Sequence, residues 1–211
     1  MLVAAFAAAI AMCAVPAAAE TVAGGGNNLV LVQSSNEGKA MARAGTKVTI
    51  AASDTVASAN LAIAINADCD GCHSTAVAVQ VLITTSNPSV FVPQNTAVAV
   101  NGGCNGCGAF AYARQYVLQT DGPAHLSGEG RQEVEQLRQE ISDAAASILP
   151  SDALTDPCPV FPVDPTCPSR DAQLEDKLDA LVAQLEAVVA ADVQAAGPPV
   201  TTGQVQEAPG Q

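Results

Sequence analysis

Cys69-Asp-Gly-Cys72-His73 is the densest group of chemically capable side chains in the sequence. Two thiols two residues apart and followed by an imidazole match the attachment pattern of c-type haem, with two thioether links and an axial ligand. A second pair, Cys104-Asn-Gly-Cys107, stands further along, and four thiolates in two Cys-x-x-Cys pairs suit tetrahedral zinc. A redox-active pair would need a helix N-terminus or a nearby cation to lower its thiol pKa, and the sequence offers neither. Asn66-x-Asp68-x-Asp70-Gly71 opens like a calcium loop. Its twelfth position is Val77, however, where a bidentate Glu belongs, and the second copy carries Gly103 in place of Asp68. Gly108 likewise replaces His73, so the unit is built without an imidazole.

The compartment decides among these chemistries. Leu2 to Val15 form an apolar run ended by Pro16, and Ala17-Ala18-Ala19 before Glu20 make a signal-peptidase pattern. Residues 1–19 are expected to be a signal peptide. No Lys or Arg precedes the run, which points to a true start further upstream. The run is shorter than the ~20 residues a permanent span requires, so no membrane span is expected after cleavage. Met12 occupies the position where a small residue should precede a lipid-modified Cys13. Of seven cysteines, six then remain: Cys69, Cys72, Cys104, Cys107, Cys158 and Cys167. In a secreted or cell-envelope protein they read as disulfides. Haem at Cys69, Cys72 and His73, and a metal at Cys69, Cys72, Cys104 and Cys107, are the alternatives.

The elements around the cysteines repeat. Asn60-Leu-Ala-Ile-Ala-Ile-Asn66 lies over Asn95-Thr-Ala-Val-Ala-Val-Asn101 at a shift of 35 residues, and Ala76, Ala78 and Gln80 lie over Ala111, Ala113 and Gln115. One supersecondary unit is used twice, over 60–85 and 95–120. Asp70-Gly71 and Asn105-Gly106 between alternating apolar runs are strong type I′ hairpin signals. The cysteines then become closing cross-strand pairs, and Ile65 is expected to face Ala76, Ile63 Ala78 and Val98 Ala113. Gln80 and Gln115, on the alanine face, are expected to bond main chain or each other. Residues 29–33, 47–51 and 89–92 read as further strands, and Asn87-Pro88 and Pro93-Gln94-Asn95 as turns. About seven strands inside a β domain of residues 20–126 predict an antiparallel sandwich or barrel.

From Ser127 the period changes to that of a helix. Val134, Leu137, Ile141, Ala144 and Ile148 recur at three and four, with Ser127 as cap and Pro150 as stop. The Pro-rich segment 150–168 is expected to hold a Cys158–Cys167 disulfide worth ~2–3 kcal/mol. A second stripe, Leu174, Leu178, Leu181, Leu185 and Val188, completes an acidic helical region over 127–196. These narrow stripes fit a helical hairpin folded on itself or on the sheet; coiled-coil self-association with other copies is the competing arrangement. Residues 197–211 read as a disordered tail.

The chain has 211 residues and a formal net charge of −13, from 21 acids and 8 bases. That balance opposes binding to nucleic acid or anionic membrane, where phosphate contacts need Lys and Arg. Residues 127–211 hold 15 of the acids and 4 of the bases. His-Glu-x-x-His, Gly-x-Ser-x-Gly and phosphate-loop patterns are absent from the sequence, so no catalytic residue, enzyme activity or cofactor is expected.

The pattern Asn-x-Ala-x-Ala-x-Asn, Cys-x-x-Cys, then alternating Ala and Val to Gln resembles a repeat in uncharacterised exported actinobacterial proteins. It is similar also to the extracellular part of putative peptide zinc metalloproteases, whose catalytic motif this sequence lacks. The resemblance covers about residues 54–148 and implies an exported, disulfide-containing module. The expectation from the sequence is therefore a segregated α+β protein, antiparallel strands followed by helices, that acts as a non-catalytic structural or protein-interaction module.

Overall fold

A computed structural model describes residues 26–85, 88–147, 169–196 and 200–208. Six strands come first: β1 (Asn28–Ser34), β2 (Ala40–Ala51), β3 (Thr55–Ala67), β4 (His73–Thr84), β5 (Val90–Gly102) and β6 (Gly108–Thr120). Helices α1 (Gly128–Ala146) and α2 (Arg170–Ala196) follow, and β7 (Val200–Ala208) closes the order. The odd-numbered strands β1-β3-β5 form one parallel sheet. The even-numbered β2-β4-β6 form a second parallel sheet, to which β7 adds antiparallel beside β6.

The chain therefore winds as a three-coil β-solenoid, each coil giving one strand to each sheet. Like residues lie beside like: Asn60 pairs with Asn95, Ile63 with Val98 and Asn66 with Asn101 in the first sheet, and Gln80 with Gln115 in the second. The first coil, β1–β2, is a third and degenerate copy, in which Asn28 pairs with Asn60 and Ser34 with Asn66. Each repeat must bury its faces on its neighbours, as in any solenoid.

Side chains alternate across each strand. Those pointing between the sheets are small: Ala62, Ala64, Ala76, Ala78, Ala111 and Ala113, with Val30 and Val32 from the first coil, form one buried cluster. Leu82, Val56, Ala51 and Val117 fill the layer at its wider end. On the opposite side of β4, Val77, Val79, Val81 and Ile83 are buried beneath the helices. β4 is thus covered on both faces, as expected of a parallel strand rich in Val and Ile.

These facts overturn the antiparallel sandwich or barrel and its hairpins. β3 and β4 are not partners in one sheet; Ile65 pairs with Gln33 and Val100, and Ala76 with Arg43 and Ala111. A type I′ turn needs left-handed backbone at both central residues. Here Gly71 (φ 65°) and Gly106 (φ 64°) adopt it, but their partners there are Asp68 (φ 52°) and Gly103 (φ 62°), three positions earlier. That spacing carries the chain from one sheet to the other instead of folding it back. Pro93-Gln94-Asn95, expected as a turn, lies inside β5, an edge strand where a missing N–H is tolerated. The expected tail contributes β7, which finds unpaired donors and acceptors along β6.

α1 starts where expected: the Ser127 Oγ accepts a bond from the Gly130 N–H at 2.9 Å. Asp192 of α2 grips the same residue, accepting from the Ser127 N–H (2.8 Å) and Oγ (2.6 Å). Val134, Leu137, Ile141 and Ala144 of α1, and Leu174, Leu178, Leu181 and Leu185 of α2, are buried on each other and on the second sheet. The α2 stripe is wider than the sequence reading allowed, with Val182, Val189 and Val193 also buried, and Val188 half-buried at its rim. The helices thus form a hairpin on the sheet, and their apolar stripes are spent there. Ile148, Pro150 and the Cys158–Cys167 pair lie outside the described residues.

Candidate functional site

The turns joining the two sheets stack one on another. The Gly38 N–H donates to the Asp70 carbonyl (2.8 Å) and the Gly71 N–H to the Asn105 carbonyl (2.9 Å), so three x-Gly steps form a ladder at one edge of the solenoid. Cys69–Cys72 and Cys104–Cys107 are disulfide pairs within successive turns, each with Cα atoms 6.1 Å apart, inside the range a bridge accepts. Cys69 and Cys72 are 3% and 0% exposed. The Cys72 N–H donates to Cys107 Sγ at 3.3 Å, tying the two staples together. The sulfurs of Cys69, Cys72 and Cys107 lie within 4.8 Å of one another, a group able to hold a thiophilic ion if reduced.

His73 begins β4, beside Ala40 on one side and Gly108 on the other. A Cβ on Gly108 would stand 2.7 Å from His73 Nδ1, so the glycine leaves room for the imidazole of the coil below. Burial pushes the Asp171 carboxyl of α2 up, while the charges of His73 and Arg170 oppose the shift. Haem attachment would need both sulfurs of the Cys69-Cys72-His73 motif to be reachable, and their depth does not favour it. Of the calcium-like residues, Asn66 is buried and bonded to Asn101, and Asp70 Oδ1 accepts from the Asn105 N–H.

The interior polar side chains are committed to the fold. The Asn60 amide donates to Asn95 Oδ1 (2.7 Å) and to the carbonyls of Ala78 and Arg114, and accepts from Asn28 Nδ2 (2.9 Å). Asn66 donates to Asn101 (2.8 Å) and accepts from the Ser74 hydroxyl (2.7 Å). Gln115 donates to Gln80 Oε1 (2.7 Å), and Gln80 donates to the Gly26 carbonyl. Gln80 and Gln115 therefore bond each other and main chain, as the sequence suggested.

No family model, curated protein or solved structure matches the chain.

Two surfaces remain. A groove of about 430 Å³ between β2 and α1 is lined by Asn28, Thr46, Lys47, Glu135, Arg138 and Gln139 among others, a mixture of charges with no concentrated chemistry. The second surface escaped the sequence reading. The outer face of β1-β3-β5 presents Leu29, Leu31, Val90, Val92, Val98 and Val100 at 37–63% exposure, with half-buried Leu61, Ile63 and Ile65 between them. Strands β1, β3 and β5 contain no Asp, Glu, Lys or Arg at all, in a chain of net charge −13. That absence was the available signal. The helices cover the other sheet. Among the described residues, no helix is long and apolar enough to cross a membrane.

Proposed function

We propose that this chain is an exported, non-catalytic module that works through protein contact, with the disulfide-stapled solenoid as its rigid scaffold. The observation carrying this reading is the uncharged, exposed face of the first sheet, because contiguous apolar surface of this extent marks contact sites in folded proteins. Disulfide pairs in two successive turns support an oxidising compartment. The buried Asn and Gln side chains support a structural role for the repeat, since their amide groups bond one another and main chain between the coils.

Intact mass of the exported protein, before and after reduction, tests the reading. A mature chain starting at Glu20, gaining two hydrogens per reduced bridge and carrying no free thiol at the repeat, is the expected result. A chain retained in the cytosol with reduced cysteines would overturn it.

A second reading rests on the three close sulfurs of Cys69, Cys72 and Cys107, to which Cys104 stands next through Cys107: a thiolate metal site formed by two stacked turns. Zinc that co-purifies stoichiometrically and is released by a thiol-modifying reagent would favour it; two bridges without metal would remove it.

A further inference from the structure

We infer that the outer face of β1-β3-β5 is covered by the same face of a second copy, giving a twofold dimer in which the two first sheets pack face to face. This rests on the protein-contact reading and names the partner.

The face is ordered in rows across the three strands: Leu29-Leu61-Thr96, Leu31-Ile63-Val98 and Gln33-Ile65-Val100. Its middle row is wholly aliphatic, and β3, with Leu61, Ile63 and Ile65, runs through its centre. Two such pleated surfaces meeting give the ordinary packing of a β-sandwich. A twofold axis requires the patch to be complementary to itself, and an uncharged, largely aliphatic surface meets that requirement without pairing any charges.

Area and charge both favour a second copy. β3 and β5 have 13 residues each and β1 has 7. At about 3.3 Å per residue and about 4.8 Å between strands, the face spans roughly 500 Å² per copy, or roughly 1,000 Å² for the pair. That reaches the lower limit for a specific interface. A chain of net charge −13 ordinarily repels its own kind. In this geometry the acidic helices, which lie on the second sheet, become the two outermost layers. At about 10 Å per layer they stand roughly 40 Å apart, several Debye lengths at physiological salt. A second copy is thus the partner whose charge this arrangement places far from the contact, whereas an anionic lipid surface would face the whole field.

The test is sedimentation of the purified, oxidised chain across a range of concentrations, beside Leu31→Glu and Val98→Glu. Both positions are exposed, so far-UV circular dichroism should not change, while each charge should weaken dimerisation by about tenfold or more. Val98→Thr, which keeps strand propensity and shape, should weaken it less and guards against a folding defect in the Glu variants. A concentration-dependent dimer, lost in this order, is expected. A wild-type monomer, a dimer indifferent to all three substitutions, or a monomer that floats with phosphatidylcholine vesicles through Leu31 and Val98 would overturn the inference. A monomer that is still exported and bridged would sink the dimer alone and leave the protein-contact reading standing.

Discussion

Asn60 and Asn95 stand side by side in adjacent coils, the amide of one donating to the carbonyl oxygen of the other at 2.7 Å. With Asn28 they make a continuous ladder of three side-chain amides across the first sheet, at the level where the solenoid interior is otherwise alanine and valine. A buried amide is tolerated only if its donors and acceptors are used, and here the next coil supplies them.

Asn60→Ala should therefore cost about 3 kcal/mol. It removes four bonds at once: the one Asn60 accepts from Asn28 Nδ2, which keeps its bonds to the Gly45 and Val79 carbonyls, and those Asn60 donates to Asn95 and to the carbonyls of Ala78 and Arg114. Urea unfolding followed by circular dichroism measures it; a loss no larger than that of an exposed polar-to-alanine change would refute the ladder's role.

Gln80 and Gln115 should prove coupled. Gln115→Leu alone leaves Gln80 Oε1 without its donor, whereas changing both to Leu removes both ends of the bond. The double variant is expected to be destabilised by less than the sum of the singles, with an interaction energy of about 1 kcal/mol or more. Strict additivity in the same unfolding assay would contradict this.

Gly103 combines a left-handed backbone (φ 62°) with a close neighbour, since a Cβ there would lie 2.6 Å from Asp68 Oδ1. Gly103→Ala should lower stability by about 1–3 kcal/mol. Adding Asp68→Gly should restore part of the loss, the part due to crowding, and leave the backbone part. A melting temperature unchanged by Gly103→Ala would count against the stacked turn.

The two tyrosines, with no Trp in the chain, make alkaline titration easy to read. Tyr112 donates to Asp179 Oδ1 at 2.7 Å, and Arg114 bonds the same oxygen at 2.8 Å, pinning α2 to β6. Burial, then the Asp179 hydrogen bond and charge, push the Tyr112 phenol far above its ordinary range; burial and Glu186 raise Tyr116. A pKa raised in the folded state means stability that is complete below the unfolded value near 10. Above that pH the unfolded chain loses its phenol protons and the folded chain keeps them. Stability should then fall by up to about 1.4 kcal/mol per pH unit through Tyr112, with a smaller share in the same direction from the more exposed Tyr116. Tyr112→Phe should remove its share of that slope. Phenolate absorbance of the native protein rising near pH 10 would show the phenols to be unperturbed.

The sequence alone determined the core of strands β1 to β6, the period of 35 residues, the helix cap at Ser127, the centre of each helix's apolar stripe and the pairing of cysteines within each Cys-x-x-Cys, but not β7 or the continuity of β5 through Pro93. These follow from local rules: side-chain alternation, hydrophobic spacing, capping chemistry and the short reach of adjacent residues. Whether successive strands fold back on each other or pass into opposite sheets was decided only in three dimensions. Asp-Gly and Asn-Gly serve both courses, and the choice lies in the left-handed residues at Asp68 and Gly103, which no local pattern separates from a hairpin. The repeat itself held the answer. Identical units place identical residues in register only when stacked in parallel, which is why Asn60 meets Asn95 and Gln80 meets Gln115. The exposed face of the first sheet was likewise illegible, because an aliphatic strand looks the same whether a helix covers it, as over β4, or nothing in the chain's described part does, as over β3.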